Sequence, residues 1–143
     1  MFELSSFYKG CRENDISVIP FDNAPSAGTT ARFKEKYAIF LDFSALKSVR
    51  KLRGTCMHEM GHAETGALHK VHSPYETIEH NEHIAVRWTA EHFLTVDDFM
   101  GAFRAGYTET WELAEYFDLP EEDIKKALHY WTECRGIDFN SLR

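Results

Sequence analysis

Hydrophobic residues follow two different spacings along the chain, and the spacing changes near residue 44. A short opening helix is predicted by apolar side chains that can share one side, namely Phe2, Phe7, Tyr8 and Cys11. Residues 16–21 (ISVIPF) predict a strand, which Pro20 places at a sheet edge. The turn formers of residues 22–30 predict a loop, and residues 37–43 (YAIFLDF) predict the strongest strand. We therefore expect two or three strands, all before residue 44.

From Ser44 onward, apolar residues recur every three or four positions, as they do on the core-facing side of a helix. The first stripe consists of Leu46, Val49, Leu52, Cys56, Met60, Ala63 and Ala67. After a polar break at residues 69–77, a second stripe consists of Ile78, Ala85, Thr89 and Phe93. Residues 95–98 (TVDD) fit a capping box, which predicts a third helix that closes at Gly106.

Two more helices are predicted near the end of the chain. Residues 109–119 (ETWELAEYFDL) form the first. The aromatic residues of the two helices are expected to be core residues, namely Trp111, Tyr116, Phe117, Tyr130 and Trp131. Pro120 opens the second, which has acidic residues in its first turn and Arg135 before Gly136 at its end. Because no repeat or linker interrupts the 143 residues, a single domain over residues 1–143 is expected.

The net charge of the chain argues against two classes of binding partner. The chain has 16 Lys and Arg against 23 Asp and Glu, and the net charge of -7 argues against strong nonspecific binding to nucleic acid or anionic membranes. A local basic cluster is predicted to be the solvent-exposed face of a helix; it contains Lys47, Arg50, Lys51 and Arg53. We therefore expect neither direct nucleic-acid binding nor membrane association.

Cysteine usage and the N-terminal residues bear on the compartment. Cys11, Cys56 and Cys134 are odd in number and far apart, which is not the pattern of a disulfide framework. The first fifteen residues lack the pattern of a signal peptide, and no apolar run is long enough to cross a membrane. These features predict a cytoplasmic protein.

The sequence HEMGH at residues 58–62 is the strongest candidate for chemistry. His58 and His62 are one helical turn apart, so both imidazoles project from the same side and can hold one metal ion. Glu59 projects about 100° away, where its carboxylate can take a proton from water rather than bind the ion. The pattern predicts a catalytic zinc site, with Glu59 as the general base.

A catalytic zinc needs a third protein ligand. The candidates in the next predicted helix are Glu79, His80, Glu82, His83 and His92. Glu82 is favoured because it falls on the apolar stripe, where an unpaired carboxylate would be costly to bury. Glu79 lies one turn away on nearly the same side and remains the alternative.

HEMGH together with residues 82–94 (EHIAVRWTAEHFL) resembles the ImmA/IrrE family of zinc metallopeptidases, which are common in bacteria and their mobile elements. Members pair HExxH with a helix of the form E-x-x-A-x-x-F-A-A-E-L-L, and the match sets Glu82 at the ligand position. Ala85, Ala90 and Glu91 match, whereas Val86 stands where Asn is usual. The resemblance covers roughly residues 16–135, and only the two motif helices are specific.

The resemblance implies an α+β fold in which a small N-terminal sheet of two or three strands packs against a pair of zinc-binding helices, followed by a C-terminal helical segment. It implies one zinc ion held by His58, His62 and Glu82, with Glu59 as the catalytic residue. It also implies a protein substrate, a transcriptional repressor or related regulator encoded nearby. The negative charge that develops on the oxygen of the attacked carbonyl needs a hydrogen-bond donor. The candidates are Tyr75, His72, His80 and His83.

Two other functions are compatible with parts of the sequence. Residues 109–131 have the two-helix rhythm of a helix-turn-helix, but acidic residues at 121–123 would oppose phosphates at the start of its second helix. A zinc-binding regulator without proteolytic turnover is the other alternative. A regulator of that kind would give Glu59 no role. A structural zinc site would also usually close the fourth coordination position with another Cys or His.

Overall fold

The computed structural model describes residues 2–23, 26–68 and 75–142. The first part of the chain contains α1 (Leu4–Glu13), β1 (Ile16–Pro20), β2 (Gly28–Phe33) and β3 (Lys36–Leu41). Among the described residues, five helices follow: α2 (Val49–Thr65), α3 (Tyr75–Phe93), α4 (Val96–Arg104), α5 (Thr110–Phe117) and α6 (Glu121–His129). A π-helical turn (Tyr130–Cys134) extends α6, and a 3-10 turn (Phe139–Leu142) lies near the end. The protein is therefore α+β, as expected, and no helix among these residues is long and apolar enough to cross a bilayer.

The three strands form one sheet in the order β1-β3-β2, with β1 parallel and β2 antiparallel to β3. The prediction that Pro20 lies on an edge strand is confirmed, because β1 pairs only with β3 within the described sheet. The predicted loop was too long, since its last three residues begin β2 at Gly28. Pairing with β3, from Gly28 opposite Leu41 to Phe33 opposite Lys36, outweighs the weak strand preference of a Gly-Thr-Thr sequence.

Helix α2 carries the HEMGH sequence against the sheet. It starts later than predicted, because Ser48 caps it by accepting a hydrogen bond from the Lys51 amide. Val49 was therefore wrongly placed on the core-facing stripe and is 63% exposed. The rest of the stripe is buried from Cys56 onward, and Cys56 itself is a buried core residue, as expected. This burial fixes which side of α2 faces the site.

Arg53 corrects the prediction that the basic cluster faces solvent. Its side chain is buried, and its guanidinium donates to the carbonyl oxygens of Phe2, Phe117 and Asp118 at 2.7, 3.3 and 2.9 Å. Glu3 and Asp118 supply nearby carboxylates. The guanidinium therefore satisfies three backbone acceptors and ties α2 to the N-terminal segment and to the end of α5.

The C-terminal helices follow the predicted boundaries closely. Thr95 and Asp98 form the expected capping box of α4, and Gly106 adopts the left-handed conformation just past its end. Phe117, Tyr130 and Trp131 are buried as expected. Trp111, also expected in the core, is 55% exposed, because helical spacing does not reveal which side of a short helix meets a neighbour.

Gly61 sets the distance between the two helices of the site. A Cβ atom there would lie 2.9 Å from the Ala85 carbonyl oxygen and 3.0 Å from Thr89 Cγ2. A backbone oxygen cannot move away by a change of side-chain rotamer, so relief of this contact would require the helix backbone to shift. We predict that Gly61→Ala lowers the free energy of unfolding by about 1–2 kcal/mol despite the better helix propensity of alanine. Urea denaturation measures this change.

Gly101 provides the matched control, since it lies inside α4 and, apart from its chain neighbours and its own helix backbone, no atom of the described residues lies within 4 Å of an added Cβ. Gly101→Ala should raise the free energy of unfolding by about 0.5–1 kcal/mol. Equal effects of the two substitutions would show that α2 and α3 are not in tight contact at Gly61.

Candidate metal centre

Three side chains from two helices meet at one point. His58 and His62 lie one turn apart on α2, and Glu82 reaches them from α3. Glu82 Oε2 lies 2.7 Å from His58 Nε2, and Glu82 Oε1 lies 2.9 Å from His62 Nε2. The two Nε2 atoms are 3.1 Å apart. The described residues thus bring two imidazole nitrogens and one carboxylate to a common focus, as the sequence predicted.

His62 is held in a fixed orientation. Its Nδ1 lies 2.6 Å from the Ala67 carbonyl oxygen, so the Nδ1 hydrogen is donated there and Nε2 is directed towards Glu82. Gly66, in the left-handed conformation, ends α2 and turns the chain so that this carbonyl faces back to the ring. A backbone acceptor on the far nitrogen is the usual means of orienting a metal-binding histidine.

The charges of the three groups are coupled. Burial alone would raise the pKa of Glu82, but hydrogen bonds from His58 and His62 and their charges hold that pKa well below its usual range. Burial would also lower the pKa of His62, and the hydrogen bonds to Glu82 and Ala67, with the charges of Glu82 and Glu59, instead raise it. Because this shift favours the protonated form of His62, a metal ion competes with a proton for Nε2, so metal affinity should increase with pH.

Glu59 lies beside the three residues and not among them. It is only 7% exposed, and its Oε2 accepts a hydrogen bond of 2.5 Å from the hydroxyl of Thr30 on β2. The same hydroxyl lies 3.1 Å from the Glu59 carbonyl oxygen. Thr30 was missed by sequence reasoning, because this contact crosses from strand to helix and leaves no local pattern.

A cleft of about 320 Å³ opens onto these groups. One side is formed by the start of β2 and the residues before it: Ser26, Gly28, Thr29 and Thr30. His58, Glu59 and His62 line it from α2, with Leu68 and Glu82 completing it. Gly28 allows β2 to approach α2 closely, because an added Cβ would lie 2.5 Å from Thr55 Cγ2. A molecule in this cleft would meet both the three-residue cluster and the Glu59 carboxylate.

The other candidate ligands do not join the cluster. Glu79 and His80 are exposed on α3, and His92 stacks on Trp88 while its Nδ1 donates to the Trp88 carbonyl oxygen. Of the candidate oxyanion donors, His83 lines a neighbouring depression, whereas His72 and the side chain of Tyr75 lie outside the described residues.

The donor set fits a zinc ion. Imidazole nitrogen and carboxylate oxygen are normal zinc ligands, and a tetrahedral ion with bonds of about 2.0–2.2 Å keeps its ligand atoms about 3.3–3.6 Å apart. The Nε2 atoms of His58 and His62, 3.1 Å apart, need only a small outward relaxation, and one ligand atom from each of the three residues lies within 4.8 Å of the other two. Three protein ligands on one side also leave the fourth position for a substrate or water, as in catalytic sites.

Comparisons of the chain with protein-family models, with curated proteins and with solved structures found no match.

Proposed function

We propose that this protein is a zinc-dependent endopeptidase. One observation carries the proposal: a cluster of His58, His62 and Glu82 and a separate carboxylate, Glu59, line the same cleft. A site that only stores or senses a metal has no need of a buried carboxylate beside the ligands. The resemblance of both motif helices to the ImmA/IrrE metallopeptidases supports the same activity.

His58, His62 and Glu82 would hold the ion. Zinc bound there would polarise a peptide carbonyl and lower the pKa of a water molecule to about 7. Glu59 accepts a proton from the attacking water and can return it to the nitrogen of the leaving amine. Thr30 keeps one oxygen of Glu59 engaged, which limits rotation of the carboxylate.

The edge strand β2 provides a place for the substrate. Its residues line the cleft, and within the described sheet it pairs only with β3. An extended peptide can add to such an edge through backbone hydrogen bonds, which brings its carbonyl groups past the site without requiring one particular side chain. This arrangement favours a polypeptide substrate over a small molecule.

We further propose that the substrate is a transcriptional repressor or related regulator encoded near this protein and that cleavage takes place in the cytosol. Both follow from the family resemblance and from the cysteine pattern of the chain.

Incubation of the zinc-loaded protein with the purified products of adjacent genes tests the proposal. A new fragment detected by mass spectrometry should appear, its formation should stop when a chelator is added, and it should resume when zinc is restored. Bound zinc without cleavage of any of these proteins would favour the metal-binding regulator instead.

Thr30 is expected to position Glu59 without touching the ion. Thr30→Val removes the hydroxyl at nearly constant volume and should lower kcat about tenfold, the worth of one buried hydrogen bond to a charged group, with unchanged zinc content. Steady-state kinetics on the identified substrate measures it.

Thr30→Ser supplies the control, because serine keeps the hydroxyl and should restore most of kcat. A change in KM alone, or an equal loss in Thr30→Ser, would indicate that Thr30 only shapes the cleft.

A further inference from the structure

A second depression, of about 370 Å³, lies between α3 and α6. Helix α3 contributes Glu82, His83 and Val86, and helix α6 contributes Lys125, Lys126 and His129. Because Glu82 also lines the metal cleft, the two spaces share a wall. We call this depression the α3–α6 pocket.

The α3–α6 pocket is locally basic in a chain with a net charge of -7. Glu82, its acidic member, is already engaged with His58 and His62. Lys125 pairs with Glu121 at 3.2 Å, which neutralises much of its charge. Lys126 is exposed, and no ion pair joins it to a carboxylate of the described residues. Lys126 is therefore the cation most available to a bound molecule.

Lys126 also stands next to the centre of the site. It lines a third depression, of about 180 Å³, together with His58 and Glu59. Asp123 lies in the same depression, and burial raises the pKa of Asp123 although the charge of Lys126 opposes this shift. The lysine thus lies between two spaces that flank the metal cleft.

The remaining walls suit a side chain with an apolar stem. Val86 and the buried ring of Tyr130 line the α3–α6 pocket, and the methylene groups of the lysines add apolar surface. His83 and His129 each offer an N–H donor in either protonation state. Apolar walls with cations at the rim match a group that carries methylenes and ends in a carboxylate.

We propose that the α3–α6 pocket recognises a carboxylate of the peptide substrate close to the bond that is cut, with Lys126 as its main partner. The inference rests on the proposed peptidase function. Two sources supply the same chemistry: an acidic side chain within the peptide, as cleavage by an endopeptidase requires, or the carboxylate at its C-terminus, which would instead make the enzyme a carboxypeptidase. In either case the pocket selects the position of cleavage, whereas β2 holds the backbone.

Binding of defined peptides tests this selection. Four alanine-rich octapeptides serve as probes: three have blocked ends and a central Glu, Gln or Lys, and the fourth has a central Gln and a free C-terminal carboxylate. They are titrated into zinc-loaded and metal-free Glu59→Gln protein at low salt, and amide shifts in NMR spectra give the dissociation constants. We expect the Glu peptide to bind about fivefold more tightly than the blocked Gln peptide, the effect of one exposed ion pair.

The same titrations with Lys126→Gln added are decisive, because a free carboxylate can also bind zinc. The preference for Glu should disappear in this variant and persist in Lys9→Gln, a matched exposed helical lysine that lines none of the three depressions. A preference shown only by the free C-terminus, and lost in Lys126→Gln, would identify the chain end as the carboxylate. Equal binding of all four peptides, or a preference that survives in Lys126→Gln, would overturn the inference.

The outcome is separable from that of the cleavage assay. Cleavage without a Lys126-dependent preference would leave the peptidase and remove the α3–α6 pocket as its selectivity site. A Lys126-dependent preference without cleavage would leave a binding site for acidic peptides in a protein that is not a peptidase.

Discussion

Glu59→Gln should slow hydrolysis strongly while leaving zinc in place. Glutamine has nearly the same shape and can keep the contact with Thr30, but it cannot accept a proton from water at neutral pH. A positioned general base contributes about 10²- to 10⁴-fold, so kcat should fall by that factor. Zinc content by mass spectrometry and cleavage rate on the same sample measure both effects.

Glu64→Gln is the matched control, because Glu64 lies on the same helix and is exposed. Its zinc content and rate should equal those of the wild type. Loss of zinc in Glu59→Gln would place that carboxylate on the metal, and a wild-type rate would remove it from the reaction.

Glu82→Ala is expected to have the largest effect on metal binding. It removes one of the three proposed ligands and leaves His58 and His62, which are held by one helix alone and no longer bridged to α3. Because loss of a group that merely orients a ligand costs about 10- to 100-fold, loss of the ligand itself should weaken zinc binding by at least about 100-fold. Competition with a fluorescent chelator measures the affinity.

Glu79→Ala tests the alternative ligand that the sequence left open. Glu79 is exposed one turn earlier on α3 and lies outside the three-residue cluster, so its removal should leave zinc affinity unchanged. A reversed result, with zinc retained in Glu82→Ala and lost in Glu79→Ala, would refute the ligand set.

Periodicity predicted two of the three ligand candidates and favoured the third without excluding Glu79. The spacing of His58 and His62 fixes their common side of a helix, and the apolar stripe of α3 favours Glu82. Both are local properties of a helix, and the structure brings these residues within hydrogen-bonding distance. The family resemblance narrowed the choice from Glu79 or Glu82 to Glu82.

What periodicity missed depends on contacts between distant segments. Arg53 has the charge of a surface residue, and its burial depends on carbonyl groups of Phe2, Phe117 and Asp118, far away in the sequence. The Gly28 end of β2 resembles a turn until β3 pairs with it. Thr30 and Lys126 face the site only because a strand and a later helix pack around α2.

Because β2 lies close against α2, the β2 side of the cleft should rearrange less than the α6 side when a molecule binds. Gly28 leaves no room between strand and helix, and Thr30 is bonded to Glu59, so the β2 side is already ordered before anything binds. On the α6 side, a lysine that closes on a bound molecule loses rotamer entropy worth up to about 2 kcal/mol. Selection of a ligand by its shape at the β2 side should therefore cost little conformational entropy. Selection by charge at Lys125 and Lys126 should carry an entropic penalty that isothermal titration calorimetry can measure.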